Sequence, residues 1–197
     1  MTQMQPLTRD DLYSLEEYAE IRPRYRAEIL EHKKSRQLEI GPHATLYFED
    51  RQTIQYQIQE MLRIERIFEA AGINEELAAY NPLIPDGANW KATFMVEFPE
   101  VAERRAMLRQ LRGIEDCVYV QAGDLPRCMA IADEDMERAN ESKTSAVHFL
   151  RFELGADAVA ALKEGAALSA GIDHPNYQTE VAPVAAEIRN ALLADLD

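Results

Sequence analysis

Hydrophobic and polar positions divide this chain into a helical pattern in its first half and an alternating one in its second. Between residues 53 and 71, Ile54, Ile58, Met61, Leu62, Ile64 and Phe68 fall on one broad face at about 100° per residue, and Gly72 supplies a C-terminal stop. Tyr56, Ile67 and Ala71 lie roughly opposite. Only the stripe of Gln55, Gln59, Arg63 and Arg66 is plainly polar, so the spacing predicts a helix covered on most sides. Residues 37–40 and 44–49 read as a hairpin around Gly41-Pro42-His43 that leads into this helix, with His43 exposed in the turn. Upstream, Thr8 is the candidate N-cap of a helix reaching residue 20, and Pro23 starts a second one over 24–35.

The second half opens with the clearest strand. Trp90, Ala92, Phe94, Val96 and Phe98 alternate with Lys91, Thr93, Met95 and Glu97. A helix over 99–112, strands over 117–121, 128–132 and 145–154, a helix over 155–164, a short strand over 166–172 and a helix over 179–196 complete the reading. The predicted fold is α+β: an antiparallel or mixed β-sheet with packed helices, and a long, largely buried helix after an N-terminal hairpin. Residues 1–197 read as a single domain, with 81–89 the place for any subdivision. The Asn81-Pro82-Leu83-Ile84-Pro85 stretch there is stiffened by its prolines, and either covers the core or lines a pocket.

Composition changes this picture mainly by exclusion. A net charge of −14 over 197 residues argues against nucleic acid and against an anionic membrane surface, since both need a basic face. No run of about 18 apolar residues occurs and the first residues lack a basic segment followed by an apolar one, which predicts a cytoplasmic protein. The two cysteines, Cys117 and Cys128, flank a turn. They are a redox pair if a hairpin register brings them together, or two reduced, buried thiols.

Candidate chemistry comes from carboxylates and histidines at positions that the patterns turn inward. Glu65 falls about 20° from Ile54 on the helical wheel, in the middle of the apolar face. A carboxylate there needs an ion pair with an arginine, a metal, or a raised pKa. His148 shares its strand face with Ala146, Leu150, Phe152 and Leu154, which makes it either a hydrogen-bonded core residue or part of a metal or acid/base site, while Arg151 points the other way. His174, in the polar stretch Asp173-His174-Pro175-Asn176-Tyr177, either joins such a site or caps the last helix. Lys143-Thr144-Ser145 lacks the glycines of a phosphate loop.

Leu7-Thr8-Arg9-Asp10-Asp11-Leu12, Phe48-Glu49-Asp50 leading to residues 57–66, Tyr80-Asn81-Pro82-Leu83-Ile84-Pro85, Lys143-Thr144-Ser145-Ala146-Val147-His148 and the 173–177 stretch together resemble the bacterial domain-of-unknown-function family 3501 across nearly the whole chain. That resemblance assigns no catalytic residue. It implies an accessory role in redox or peroxide defence beside a rubrerythrin-like or iron–sulfur partner protein. Two functional readings follow. One is a binding or accessory protein, with a divalent metal (iron, manganese or zinc) held by Glu65, His148 and His174 and with Glu60 as a further ligand. The other is a small-molecule enzyme that uses Glu65 and a histidine as acid and base.

Overall fold

The computed structural model describes residues 5–136, 138 and 143–197. Helix α1 (Leu15–Lys34) leads into the hairpin of β1 (Gln37–Glu39) and β2 (Ala44–Phe48), followed by α2 (Arg51–Glu65) and α3 (Ala70–Tyr80). Then come β3 (Asn89–Val96), α4 (Val101–Gln110), β4 (Val118–Ala122), β5 (Cys128–Met129), β6 (Ile131–Ala132) and β7 (Val147–Glu153). Helix α5 (Ala156–Lys163), β8 (Leu168–His174), β9 (Tyr177–Val181) and α6 (Ala186–Leu193) close the chain.

The fold is α+β, and its strands form two sheets, ordered β1-β2-β3-β7-β6 and β5-β4-β8-β9, in which every pairing is antiparallel. Two connections build the pair of sheets: β3 passes through α4 to β4, and β7 passes through α5 to β8. Since β3 pairs with β7 and β4 with β8, each half of this arrangement hands one strand to each sheet. The predicted alternation holds in β3, where Trp90, Ala92, Phe94 and Val96 are buried while Lys91, Thr93 and Met95 are half-buried. A single apolar cluster draws on both sheets, from Leu46, Phe48 and Phe152 to Val118, Ala170 and Ile172. The strand expected over 128–132 is in fact two. Cys128–Met129 pairs with β4 in one sheet and Ile131–Ala132 with β7 in the other, so the chain changes sheets at Ala130.

The helices α2 and α3 bury a second cluster, in which Ile54, Ile58 and Leu62 at intervals of four meet Leu7, Leu77 and Ile84. Asp50 caps α2 by accepting from the Thr53 N–H at 2.8 Å, and Thr53 Oγ1 accepts from the Asp50 N–H in return. The helix ends at Glu65, not at Ala71 as the spacing predicts. Arg66 takes a left-handed conformation (φ 55°) and the Ile67 N–H bonds back to the Leu62 carbonyl, which closes the helix in the manner of a glycine cap without a glycine. Gly72 is instead inside α3, where an added Cβ would meet the Ile67 side chain at 2.7 Å. Ile64, in the last turn of α2, and Phe68, beyond the break, are both exposed.

The N-terminal expectations also shift. Thr8 caps only a 3₁₀ turn (Arg9–Asp11), and Ser14 caps α1, which runs through Pro23 on its exposed side. A buried ion cluster then ties this region to the end of the chain. Arg36 donates to both oxygens of Asp195 at 2.8 Å and reaches Asp50 at 2.7 Å, while His32 Nε2 lies 2.6 Å from Asp50. Burial pushes the Asp195 carboxyl up. At Asp50 burial acts in the same sense, but His32 and Arg36 outweigh it and hold the group below its ordinary value.

Candidate functional site

The four carboxylates and histidines that sequence pattern singles out occupy separate places. Glu60, on the α1-facing side of α2, accepts from Arg22 Nε and Nη2 at 2.7 and 2.8 Å and from the Tyr18 hydroxyl at 2.7 Å. Arg22 is the main reason that its carboxyl falls to about 2. Glu65, expected in the middle of a buried face, is exposed, because it is the last residue of α2 and the core beneath the helix ends with Leu62. His174 is buried at the end of β8, where Nε2 lies 3.0 Å from the Arg112 carbonyl and Nδ1 accepts from the Asn176 N–H at 3.2 Å. Both of its nitrogens are used within the protein. Its polar stretch is no open loop but the tight turn of the β8–β9 hairpin, with His174 paired to Tyr177. Tyr177 in turn donates to the Ile40 carbonyl at 2.7 Å, in a space that Gly41 (φ 74°) leaves open.

His148 is inward, as its strand parity requires, and fully buried. It forms the centre of a polar cluster. Nδ1 lies 2.6 Å from Asp133 Oδ2, and Nε2 lies 2.9 Å from Thr144 Oγ1 and 3.2 Å from the Ser145 carbonyl. Thr144 spends its one hydroxyl proton on Glu115 Oε2 at 2.8 Å, so towards the ring its oxygen is an acceptor. Both ring nitrogens thus face oxygen atoms, and the imidazole sits between the Asp133 and Glu115 side chains. Asp133 also accepts from the Phe149 N–H at 3.0 Å and lies 3.4 Å from Arg138. One histidine thereby anchors chain on both sides, at Asp133 and at Thr144. Among the described residues, no group of three or more His, Cys, Asp or Glu side chains is placed to hold a metal ion.

The other face of the same sheet carries a groove. Lys91 and Arg151 stand directly opposite each other on β3 and β7, on the face away from His148. With Phe149 they form its floor. Met61 of α2, with Glu76, Ala79 and Tyr80 of α3 and the following Pro82 and Leu83, forms the facing wall, and Glu134 and Asp135 close one end. The cavity measures about 760 Å³, within the range of small-molecule sites. The 81–85 stretch does both things expected of it: Ile84 is buried in the helical cluster and Pro82 and Leu83 line the groove.

The cations of the floor are held by the protein. Lys91 Nζ donates to the Pro82 and Ile84 carbonyls at 2.6 and 2.9 Å, which ties the wall to the floor. Arg151 grips Glu134 with Nε and Nη2 at 2.8 and 2.9 Å and Glu153 with Nη1. Asp135 is paired with Arg138, whose guanidinium lies 4.6 Å from the centre of the Phe149 ring. Burial lowers the Lys91 ammonium below its ordinary value and raises the Glu76 carboxyl above its own, with Glu65 and Glu75 adding to the latter.

A family model described as "Protein of unknown function (DUF3501)" matches residues 6–196. The chain belongs to the DUF3501 family. It is also similar to a crystal structure at 1.90 Å of a "novel protein of unknown function" from Burkholderia pseudomallei K96243, with 51% identity and a TM-score of 0.93 over 98% of this chain and 100% of that one. No curated protein matches.

For this DUF3501 chain the cysteines do not form a pair. The hairpin between β4 and β5 exists, but its register sets Val120 opposite Cys128, and Cys117 lies outside it, at the end of the 3₁₀ turn (Ile114–Cys117) that precedes β4. Both are free thiols. The Cys128 thiol donates to the Glu153 carbonyl at 3.1 Å, and burial pushes both thiols up, which makes them poorer nucleophiles. Sequence reasoning missed Asp133, Thr144 and Glu115, and on the groove side Lys91, Met61, Glu76 and Phe149. The available signal was Lys91 and Arg151, two cations on the polar sides of two strongly patterned strands.

Proposed function

We propose that this protein is a binding protein whose ligand site is the groove between α2–α3 and the outer face of the first sheet. The observation that carries the reading is the lining itself. Met61, Ala79, Tyr80, Pro82, Leu83 and Phe149 expose apolar surface in a concavity large enough for a small organic molecule, with a few charged groups placed among them. The alternative, a Glu/His acid–base enzyme, loses its geometry, since Glu65 faces solvent and His148 is sealed in the core without a route to substrate. The accessory role beside a rubrerythrin-like or iron–sulfur protein rests on the family resemblance, and a binding protein suits it.

The test is titration with the neutral apolar dye Nile red, comparing wild type with Ala79→Trp, which fills the groove. Saturable binding that Ala79→Trp weakens at least tenfold is the expected result. Equal binding by a folded Ala79→Trp protein would defeat the reading.

A further inference from the structure

The charges of the groove are unevenly matched. Lys91 is turned towards two backbone carbonyls, Arg151 is held by Glu134 and Glu153, and Asp135 is held by Arg138. Glu76 is different. It lines the cavity from α3, is half-buried, and has no hydrogen bond or ion pair to any described residue; the charges that act on it, Glu65 and Glu75, are of its own sign. A carboxylate drawn out of water without a counterion is a cost that a bound cation relieves. The Tyr80 ring, which lines the same cavity, suits the same kind of guest.

We infer that the ligand of this groove is a small organic cation, an apolar body bearing an amine or other positively charged nitrogen, with Glu76 as its counterion. The inference rests on the groove being the binding site and adds the chemical class of the ligand. An anionic ligand would have to compete with Glu134, Glu153 and the Pro82 and Ile84 carbonyls for cations that they already hold, beside a carboxylate of its own sign. The cationic guest replaces nothing. It places its charge at Glu76, which no described residue of the groove matches, and its apolar part against Met61 and Leu83.

Three dyes separate the possibilities: thioflavin T, an apolar cation; Nile red, which is neutral; and 1-anilinonaphthalene-8-sulfonate, an apolar anion. Wild-type protein is expected to bind thioflavin T more tightly than the anion. Glu76→Gln should weaken thioflavin T about tenfold, a change of about 1.4 kcal/mol, and leave Nile red within about twofold. Because the whole protein is acidic, Glu187→Gln, on α6 outside the groove, serves as the control for loss of one charge and should leave thioflavin T unchanged. Tighter binding of the anion, or equal effects of Glu76→Gln and Glu187→Gln, would overturn the inference while leaving the groove in place. Thioflavin T binding unaffected by Ala79→Trp would overturn the groove itself.

Discussion

His148 and Lys91 lie on neighbouring strands of one sheet and face opposite ways, so the sheet offers a controlled comparison of how surroundings turn a polar side chain into structure or into a site. On the inner face His148 is fully buried, and both nitrogens of its ring find partners among Asp133, Thr144 and the Ser145 backbone. On the outer face, α2 and α3 cover Lys91 only in part. The floor cations are satisfied, but the facing wall keeps one carboxylate without a partner among the described residues and a set of apolar side chains against open space. The same residue types are thus saturated where packing is complete and left available where two layers diverge.

Replacements on the two sides sharpen this contrast. The largest effect belongs to His148→Leu, which leaves the buried Glu115 and the half-buried Asp133 without the group between them. Chemical denaturation should show a loss of roughly 3–5 kcal/mol. A loss below about 1 kcal/mol would show that the contacts of His148 do not hold the cluster together. In the helical layer, Ile58→Ala, at a fully buried position, should cost roughly 2–4 kcal/mol by leaving a cavity, without altering the sheets.

Glu60 gives an intermediate case, an ion pair between helices at the edge of the core. Its carboxyl lies at about 2, below the ordinary 4.5, so it contributes stability that is complete above the ordinary value and is lost as pH falls through about 2. Glu60→Gln is expected to cost about 1–2 kcal/mol at neutral pH, after allowance for the partial exposure of Arg22. The gap between the urea midpoints of variant and wild type should close between about pH 4.5 and about pH 2. A gap that persists at the acid end contradicts the ion-pair account. Glu65→Ala, the replacement that the helical wheel makes costly, should change stability by less than about 0.5 kcal/mol, since the side chain is exposed.

What could be read from the residues follows the range of the interactions. The alternation of Trp90 to Phe98 and the Ile54, Ile58, Leu62 stripe are local periodicities, and both survive in the structure. The end of α2 is set by a left-handed arginine, which carries no signal of its own, and an error of six residues there carried Glu65 to the wrong environment. The helix expected from Thr179 is a strand as far as Val181, because β8 supplies a pairing edge. Pro183 also keeps the residue before it out of helical conformation, so that α6 begins at Ala186. The His148 cluster was half legible: parity turned the ring inward, but Asp133 and Glu115 come from segments 15 residues away from His148 and 29 residues away from Thr144, the first brought by the pairing of β6 with β7 and the second by the 3₁₀ turn before β4.

The central claim, that the open face of the first sheet is where this protein binds its ligand, is tested most directly by methyl resonances of methionine in ¹³C-labelled protein titrated with thioflavin T. The account predicts a saturable shift at Met61, in the groove wall, with Met107 of α4 and Met129 of β5 unmoved. A Met61 resonance that stays in place while the dye binds, or one that moves no more than Met107 and Met129, would contradict it.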